Sequence, residues 1–267
     1  MIRAKKSGES RLMTSSDTAS EAKQRTALVT GAAGSLGRAV ALALRDRGCR
    51  VVALDRSAEM LAAFASEYRL EAVVCDLLDP AAVESSVAQI WQQYGPISIL
   101  VNAVGWIHSA PLINIAARTE RKHSLEAWRR VLDLNLTAPF IAAASVVDRM
   151  VATRTRGVVV NFSSVAAAGN AGQGAYSAAK AGVEAMTRAW AKELGLLGIR
   201  FIAVSPGFID TTSTRAALPE QAIKDWVART PLRRLGTADD VVSAVLFAIE
   251  NEHLTGKVLE IDGGLGV

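Results

Sequence analysis

Short, uninterrupted apolar runs separated by helical segments limit the folds open to this chain more than any other feature. Strands that are buried on both faces carry such continuous runs, and helices of about 12 residues between them cover those faces. We therefore predict an α/β fold: a doubly wound parallel sheet of about seven strands in a single domain, with helices on both faces. The predicted strands are Thr26–Thr30, Arg50–Asp55, Ala72–Cys75, Ile97–Val101, a run beginning at Val158, Arg200–Val204 and Lys257–Ile261.

The composition fits one core behind a short tail. The chain has 267 residues, of which 50% are hydrophobic, and this suffices for a single core. Residues 1–24 are polar and aperiodic, so we expect a flexible N-terminal tail and a domain over 25–267, with Met13 open as an alternative start. Without an apolar signal core or an uninterrupted apolar run of about 18–20 residues, we expect a cytoplasmic protein and no membrane. Cys49 and Cys75 are expected to be free thiols.

Charge and histidine content argue against a nucleic-acid-binding surface and against a metal site. The net charge is +4. Six basic and three acidic side chains up to residue 25 contribute +3 of it, so the rest of the chain is nearly neutral and nucleic-acid binding is disfavoured. His108 and His123 lie in one loop without a Cys, His or Asp cluster, so we expect no metal.

A glycine-rich turn follows the first strand and leads directly into a helix. The turn runs from Gly31 through Ser35 and Leu36 to Gly37. Glycine lets backbone N–H groups approach a phosphate, and a helix N-terminus adds positive potential. An ordinary tight turn is the alternative, but the strand–turn–helix order favours a dinucleotide site.

Asp55 ends the second strand about 20 residues beyond this turn. An acidic residue at that place fits a ribose 2′-hydroxyl and would repel a 2′-phosphate, which favours NAD over NADP. Arg56 leaves NADP open, because a base beside Asp55 would accept a 2′-phosphate. A role in starting the next helix is the structural alternative for Asp55, although Ser57 is also suited to it.

The segment from Val158 to Lys180 carries the candidate chemistry. It comprises a buried strand, Ser163-Ser164, a Gly-rich loop and a helix that presents Tyr176 and Lys180 one turn apart on one face. A Lys ammonium favours a nearby phenolate, and bringing a Tyr pKa from about 10 to about 7 takes roughly 4 kcal/mol. Such a Tyr exchanges a proton with an alcohol oxygen near neutral pH.

Two irregular stretches are expected at the carboxyl edge of the sheet, where ligands bind in such folds. Residues 106–124 form a surface excursion that includes Trp106, and residues 208–230 form a mobile cap that includes Phe208. A long helix from Leu125 to about Arg149 contains Asn135, which needs a hydrogen-bond partner, and Pro139, which is expected to kink it.

These motifs together resemble the short-chain dehydrogenase/reductases in their common single-domain, Rossmann-like form. The resemblance covers Thr26 to the C-terminus and depends on the order and spacing of the motifs, each of which is weak alone. The motifs are Gly31…Gly37, Asp76, Asn102-Ala-Val-Gly105, Asn135, Ser163-Ser164, Tyr176…Lys180, Pro206-Gly207…Thr211 and Asp262-Gly263-Gly264.

Three positions depart from the family pattern. Ser35 replaces the middle glycine of the phosphate turn, Ala103 replaces the second Asn of Asn-Asn-Ala-Gly, and the loop before Tyr176 is one residue shorter than usual. Counting back from Tyr176 points to Ser163 as the family's serine, whereas aligning the strand points to Ser164. We select Ser164, because a one-residue slip of a strand would turn every side chain over.

The resemblance implies a role for each matching position. Lys180 would bond the nicotinamide ribose and lower the pKa of Tyr176, which would be the general acid/base. Ser164 would hold the substrate oxygen, and Asn135 would position a relay water. Trp106 and Phe208 would line the substrate pocket. The implied cofactor-binding residues are Gly31, Ser35, Leu36, Gly37, Asp55, Arg56, Asp76, Leu77, Asn102, Gly105, Tyr176, Lys180, Pro206, Gly207, Ile209 and Thr211.

The implied function is hydride transfer between NAD(H) and a small-molecule secondary alcohol or ketone. Two alternatives stay open: an NADPH-dependent ketoreductase, for example on 3-oxoacyl thioesters, and a protein that senses NAD(H) without turnover. Sugars, steroids, cyclic diols and acyl thioesters are not separated as substrates. The family's helix pairing implies a homotetramer, or a homodimer.

Overall fold

The computed structural model describes residues 24–217 and 219–266, which form one seven-stranded parallel sheet with the order β3-β2-β1-β4-β5-β6-β7. This confirms the predicted fold. Apart from Gln24, the predicted tail lies outside the described residues, as does Leu218 of the predicted cap. The strands are β1 Thr26–Thr30, β2 Arg50–Asp55, β3 Glu71–Val74, β4 Ile97–Asn102, β5 Gly157–Phe162, β6 Ile199–Pro206 and β7 Lys257–Ile261. The α-helices are α1 Ser35–Asp46, α2 Ala58–Tyr68, α3 Pro80–Tyr94, α4 Leu125–Leu132, α5 Ala138–Ala152, α6 Gly174–Leu194, α7 Thr212–Ala217, α8 Glu220–Arg229 and α9 Ala238–Glu250.

Helices cover both faces of the sheet and bury two apolar layers. The helices α1, α2 and α9 pack on one face, around Val40, Phe64 and Val245. The helices α3, α5 and α6 pack on the other face, around Ile90 and Val146. The continuous apolar runs of the sequence are therefore accounted for, because each central strand is buried on both sides.

Local capping signals set the helix ends. Asp79 accepts hydrogen bonds from the N–H groups of Ala81 and Ala82 at 3.0 and 3.1 Å, and Pro80 begins α3. Thr237 and Asp240 form a capping box at the start of α9. Side-chain caps of this kind satisfy the free N–H groups at a helix N-terminus. Hydrogen bonds from Arg234 and Thr237 also hold the pKa of Asp240 well below its usual range.

Three local expectations were inaccurate. The strand β3 begins one residue earlier than predicted and leaves Cys75 outside it. The predicted long helix changes to a π-helical turn at Asp133–Thr137, just before Pro139, and this accommodates a residue without an N–H donor. The segment Phe208–Arg215 was predicted as a polar loop but contains the start of α7.

Taken as one continuous helix, Leu125–Ala152 is long and apolar enough to cross a membrane, with a mean hydropathy of 1.4 over its most apolar window. Half of that window is buried inside the fold, and α5 packs against β4, β5 and α3. Core helices of globular domains have the same composition, so this helix's apolarity is explained by its place under the sheet.

Candidate active site

The glycine-rich turn joins β1 to α1 with no room for side chains. Gly31 has φ +66°, and a Cβ there would lie 2.8 Å from the backbone N of Val104. A Cβ on Gly37 would collide with the carbonyl oxygen of Gly31. Ser35 and Leu36 begin α1, whose first turn carries no acidic residue. The N–H groups of Ala32, Ala33 and Gly34 are engaged within the protein, so the first turn of α1 from Ser35 to Gly37, at the positive end of the helix dipole, is the part suited to a pyrophosphate.

Asp55 ends β2, and Asp76 follows the neighbouring strand β3 at the same edge of the sheet. The carboxylate of Asp55 accepts hydrogen bonds from the N–H groups of Ala33 and Ser57 at 3.1 and 3.0 Å. Asp55 is therefore fixed beside the glycine turn, while Arg56 is exposed. Asp76 accepts from the N–H of Leu78 at 3.0 Å, and Leu77 is buried. The four residues predicted to contact the adenosine therefore lie together at the carboxyl edge of β2 and β3.

Asn102 belongs to a buried polar network formed by Thr30, Asn102, Asn161 and Thr187. Its Oδ1 accepts from Thr30 Oγ1 at 3.3 Å, and its Nδ2 donates to Asn161 Oδ1 at 3.0 Å. Asn161 Nδ2 donates in turn to Thr187 Oγ1 at 3.0 Å. The side chain of Asn102 thus ties the strand ends to α6.

Gly105 brings Asn135 and Lys180 together. A Cβ at Gly105 would lie 3.0 Å from Asn135 Oδ1 and 3.6 Å from Lys180 Nζ. Asn135 is fully buried within the π-turn. Its Oδ1 accepts from the N–H of Trp106 at 3.1 Å, and its Nδ2 donates to the carbonyls of Trp106 and Val131 at 2.8 and 2.9 Å. Asn135 therefore fixes the first residue of the predicted excursion against the site.

Tyr176 and Lys180 lie one turn apart on α6, as predicted. The ammonium of Lys180 is 5.6 Å from the centroid of the Tyr176 ring, and it donates to the carbonyl of Phe162 at 2.8 Å. Tyr176 is 8% exposed and packs with Trp106, Val131, Ala166 and Ala175. The two side chains therefore share a dry pocket at the carboxyl end of β5.

The pKa expectation for this pair needs correction. Burial raises the pKa of Tyr176 to about 12, and only a hydrogen bond with Ser164 acts to lower it. Burial also lowers the pKa of Lys180 to about 8. Desolvation opposes the charged form of both groups, so the expected lowering of the Tyr176 pKa by Lys180 was wrong for this structure. At neutral pH Tyr176 is a phenol, the form that donates a proton.

The two adjacent serines face different partners. Ser163 is 4% exposed and donates to Glu184 Oε1 at 2.9 Å. Ser164 caps the short 3₁₀ helix Val165–Ala168, accepting from the N–H of Ala166 at 3.2 Å, and is the serine whose hydroxyl acts to lower the pKa of Tyr176. The selection of Ser164 over Ser163 as the catalytic serine stays a prediction.

The segment after β6 returns across the carboxyl edge of the sheet. Gly207 follows Pro206 and donates to the carbonyl of Ile261 at 2.9 Å. Ile209 is buried and bridges to Gly236, and Thr211 caps α7 by accepting from the N–H of Thr214 at 3.1 Å. Phe208 stacks on Trp226 with ring centroids 3.8 Å apart, so the first residue of the cap is tied to α8 near its end.

Several residues near the site were missed by sequence reasoning. Asn161 and Thr187 complete the polar network around Asn102, and Arg130 lies 4.6 Å above the Trp106 ring. An Asn inside the apolar strand β5 was a usable signal, because a buried amide needs partners. Arg130 and Thr187 had no such signal, since helix positions of this kind are common.

The described residues fit a nicotinamide dinucleotide. Gly31 and Gly37 let the turn pack closely on protein backbone, Asp55 is fixed beside that turn, and Lys180 lies beside Tyr176. No group of three or more metal-ligating side chains occurs in residues 24–217 and 219–266. A phenol, a serine hydroxyl and a buried ammonium are suited to proton transfer at a carbonyl or alcohol oxygen.

Comparison with known proteins identifies the family. A family model described as enoyl-(acyl carrier protein) reductase matches residues 31–266. The chain is 37% identical to the 3-oxoacyl-[acyl-carrier-protein] reductase FabG of Thermotoga maritima, over 90% of this chain and 97% of the relative. It is 36% identical to the (2S)-[(R)-hydroxy(phenyl)methyl]succinyl-CoA dehydrogenase subunit BbsD of Thauera aromatica, over 91% and 96% of the two chains.

Solved structures give the same result. An oxidoreductase of the short-chain dehydrogenase/reductase family from Burkholderia thailandensis superposes with a TM-score of 0.80 at 35% identity, covering 91% of this chain and 92% of the other. The aldohexose dehydrogenase of Thermoplasma acidophilum in ligand-free form gives 0.80 at 31% identity, over 91% and 94%. This chain is an NAD(P)-dependent oxidoreductase and belongs to the short-chain dehydrogenase/reductase family.

Proposed function

We propose that the protein interconverts a 3-oxoacyl thioester and the corresponding 3-hydroxyacyl thioester. The observation that carries the chemistry is the buried pair of Tyr176 and Lys180 one turn apart on α6, with Ser164 just after β5 acting to lower the pKa of Tyr176. Two relatives support the substrate class, because the names of FabG and BbsD both describe acyl thioesters with an oxygen on the carbon β to the thioester carbonyl. In the reducing direction, a ketone, NAD(P)H and a proton yield an alcohol and NAD(P)⁺.

Each residue of the site has a separate role in this reaction. The nicotinamide, when bound, supplies or accepts the hydride. Ser164 donates a hydrogen bond to the substrate oxygen, and the Tyr176 phenol gives its proton to the same oxygen during reduction. The ammonium of Lys180 stabilises the phenolate that remains. Asn135 hydrogen-bonds to Trp106 and lies near Lys180, with Gly105 between them. From there it would position the water that relays a proton between Lys180 and solvent.

Asp55 supports NAD(H) as the cofactor. Its carboxylate is fixed by Ala33 and Ser57, and it would accept a ribose 2′-hydroxyl but repel a 2′-phosphate. One observation favours NADPH as the second candidate: Arg56, Arg129 and Arg130 line a cavity of about 330 Å³ beside this edge, together with Glu126 and Asp133. The three guanidinium groups outnumber the two carboxylates and would attract a 2′-phosphate.

Kinetics with both cofactors test the proposal. We expect 3-oxobutanoyl-N-acetylcysteamine to be reduced with NADH at a kcat/KM at least tenfold above that with NADPH. Asp55→Asn should lower the ratio of kcat/KM with NADH to kcat/KM with NADPH, because it removes the charge that repels a 2′-phosphate. Asp46→Asn, at the exposed end of α1, is the control and should leave this ratio unchanged. If the wild type prefers NADPH and Arg56→Gln loses that preference, NADPH is the cofactor. No turnover with either cofactor would contradict the proposed substrate.

We also propose that the protein is a cytoplasmic homotetramer, or a homodimer, without nucleic-acid or membrane partners. Apolar side chains remain exposed along α4 and α5, including Leu125, Trp128 and Phe140. Together with α6 these helices form one face of the molecule, and a second copy would bury it.

A further inference from the structure

The helix α6 holds the end of β5 at two consecutive residues. The ammonium of Lys180 donates to the carbonyl of Phe162 at 2.8 Å, and one turn later Glu184 Oε1 accepts from the hydroxyl of Ser163 at 2.9 Å. Phe162 and Ser163 are the residues immediately before Ser164. The chain therefore reaches Ser164 from a segment whose position is set by two turns of α6.

Ser163 is fixed by its backbone as well as by its side chain. Its N–H donates to the carbonyl of Val204 in β6 at 2.8 Å, which continues the pairing of β5 with β6 one residue beyond the end of β5. Its hydroxyl also lies 3.4 Å from the carbonyl of Lys180. A hydroxyl has one proton, and the carboxylate of Glu184 is the nearer and stronger acceptor, so the bond to Glu184 orients Ser163.

Glu184 is largely buried and uses both oxygens of its carboxylate. Its side chain is 17% exposed, and its Oε2 accepts from Arg188 at 3.0 Å while its Oε1 accepts from Ser163. Burial alone accounts for the lowered pKa of Lys180, so Glu184 does not act on that ammonium directly. Its influence on the site is therefore exerted through Ser163.

Ser163 and Ser164 project to opposite sides of an extended chain. Ser164 has φ −167° and ψ 151°, and the side chains of consecutive extended residues alternate. Ser163 faces α6, whereas Ser164 faces Tyr176, whose pKa its hydroxyl acts to lower. A single peptide unit joins the two serines, so a rotation of Ser163 also moves the Ser164 hydroxyl. A misplacement of about 1 Å can lower a rate about a hundredfold.

We propose that Glu184 is a positioning residue of the active site: by holding Ser163 on α6, it sets the distance between the Ser164 hydroxyl and the Tyr176 phenol. During reduction both groups must reach the same substrate oxygen, so an error in their spacing slows proton transfer and leaves cofactor binding unchanged. The inference rests on the proposed function for its effect on turnover. The spacing itself exists without substrate and is measured separately.

Reduction of 3-oxobutanoyl-N-acetylcysteamine with the preferred nicotinamide tests the effect on turnover. We expect Glu184→Leu to lower kcat about 20-fold and to change the cofactor dissociation constant less than about threefold. Glu184→Gln keeps an oxygen that accepts from Ser163 and should retain kcat within about threefold of the wild type, although it loses the ion pair with Arg188. Glu84→Leu is the matched control, because it removes a glutamate of α3 that pairs with Arg149 at 3.0 Å, and its kcat should equal that of the wild type.

Ser163→Ala removes the other partner of the same hydrogen bond and keeps the test open if Glu184→Leu does not fold. It should lower kcat about as much as Glu184→Leu, and the double variant should be no slower than either single variant, because residues that act as a unit are not additive. Wild-type kcat in both single variants would refute the positioning role. A Glu184→Gln variant as slow as Glu184→Leu would also refute it, because the ion pair with Arg188 would then account for the effect.

A measurement without substrate separates a failure of this inference from a failure of the proposed function. The chain has three tyrosines, so in protein labelled with ¹³C at the tyrosine Cζ the NMR signal that disappears in Tyr176→Phe belongs to Tyr176. Ser164→Ala should shift this signal, and we expect Glu184→Leu and Ser163→Ala to shift it in the same direction, whereas Glu84→Leu should not. If no thioester is reduced, these shifts would still support the positioning role. A signal that stays in place in both Glu184→Leu and Ser163→Ala would overturn it.

Discussion

Lys180 occupies a position that works against the stability of the fold. It is 2% exposed, and burial lowers its pKa from 10.5 to about 8. The unfolded chain therefore binds this proton more readily, so the contribution of Lys180 to stability improves as the pH rises from about 8 to 10.5. The lowering corresponds to about 3 kcal/mol of destabilisation at neutral pH. We therefore attribute the buried Lys180 to the reaction and not to the stability of the fold.

We predict that Lys180→Met is inactive yet more stable than the wild type. The gain at pH 7 should be about 2 kcal/mol, because removal of the buried charge is partly offset by loss of about 1 kcal/mol from the hydrogen bond to Phe162. Urea unfolding at pH 7 and pH 10.5 measures the difference, which should shrink at the higher pH. A variant less stable than the wild type at pH 7, with no dependence on pH, would contradict this account.

Tyr176 is the proposed proton donor, and its removal should affect only the chemical step. We predict that Tyr176→Phe lowers kcat about 1,000-fold, within the range of general acid catalysis, and changes the NADH dissociation constant less than threefold. Tyr94→Phe removes a phenol that bonds Glu71 on the surface and is the control. Retention of most of the turnover in Tyr176→Phe would refute the role.

The positions of these side chains could be predicted from the sequence, but the pKa values of the buried groups could not. The four-residue spacing of Tyr176 and Lys180 sufficed to put them on one face, and strand alternation separated Ser164 from Ser163. The pKa of Tyr176 was misjudged because it depends on desolvation by Trp106, Ala166 and Val131, which come from distant parts of the chain. Catalytic, cofactor and substrate roles at these positions stay predictions.

At the scale of elements, α6 is fixed to the sheet by the polar network. Thr187 is fully buried, donates to the carbonyl of Val183 at 2.8 Å and accepts from Asn161. Asn161 then reaches Asn102 at the end of β4. The network therefore sets the position of the helix that carries Tyr176 and Lys180 relative to the cofactor edge.

We predict that Thr187→Val lowers kcat about tenfold, because loss of the hydroxyl frees Asn161 and Asn102 to reorient. Thr26→Val is the matched control: its hydroxyl is equally buried but bonds the carbonyl of Tyr94 at the opposite end of the sheet. Both variants should lose about 1 kcal/mol of stability. Thr187→Ser should restore activity. Equal kcat in the two valine variants would show that Thr187 is only structural.

Element boundaries were predictable where local chemistry sets them. The caps at Asp79 and Thr237 and the apolar strands needed no tertiary information. The π-turn at Asp133–Thr137 and the hairpin around Ile113 and Lys122 were not predicted. Both are fixed by long-range contacts, namely Asn135 with Trp106 and Ala110 with Gly172, which local patterns do not encode.

At the scale of the whole molecule, the face formed by α4, α5 and α6 is the proposed contact between subunits. Phe140 is 49% exposed at its centre and lies 6.3 Å from the Trp190 ring. We predict that Phe140→Glu reduces the mass measured by light scattering at micromolar protein, because a buried charge disfavours association. Met60→Glu, on exposed α2, should leave the mass unchanged. A monomeric wild type would reject the assembly.

The strand order has a consequence for how the protein is made. β1 pairs first with β2 and β2 with β3 on one side, and then β4, β5, β6 and β7 are added in turn on the other. Each strand that leaves the ribosome thus meets an edge that is already complete, and no earlier pairing has to open to admit it. The sheet can therefore add strands at its two edges during translation. The helix α6, which carries Tyr176 and Lys180, packs on the sheet only after the strands beneath it have paired.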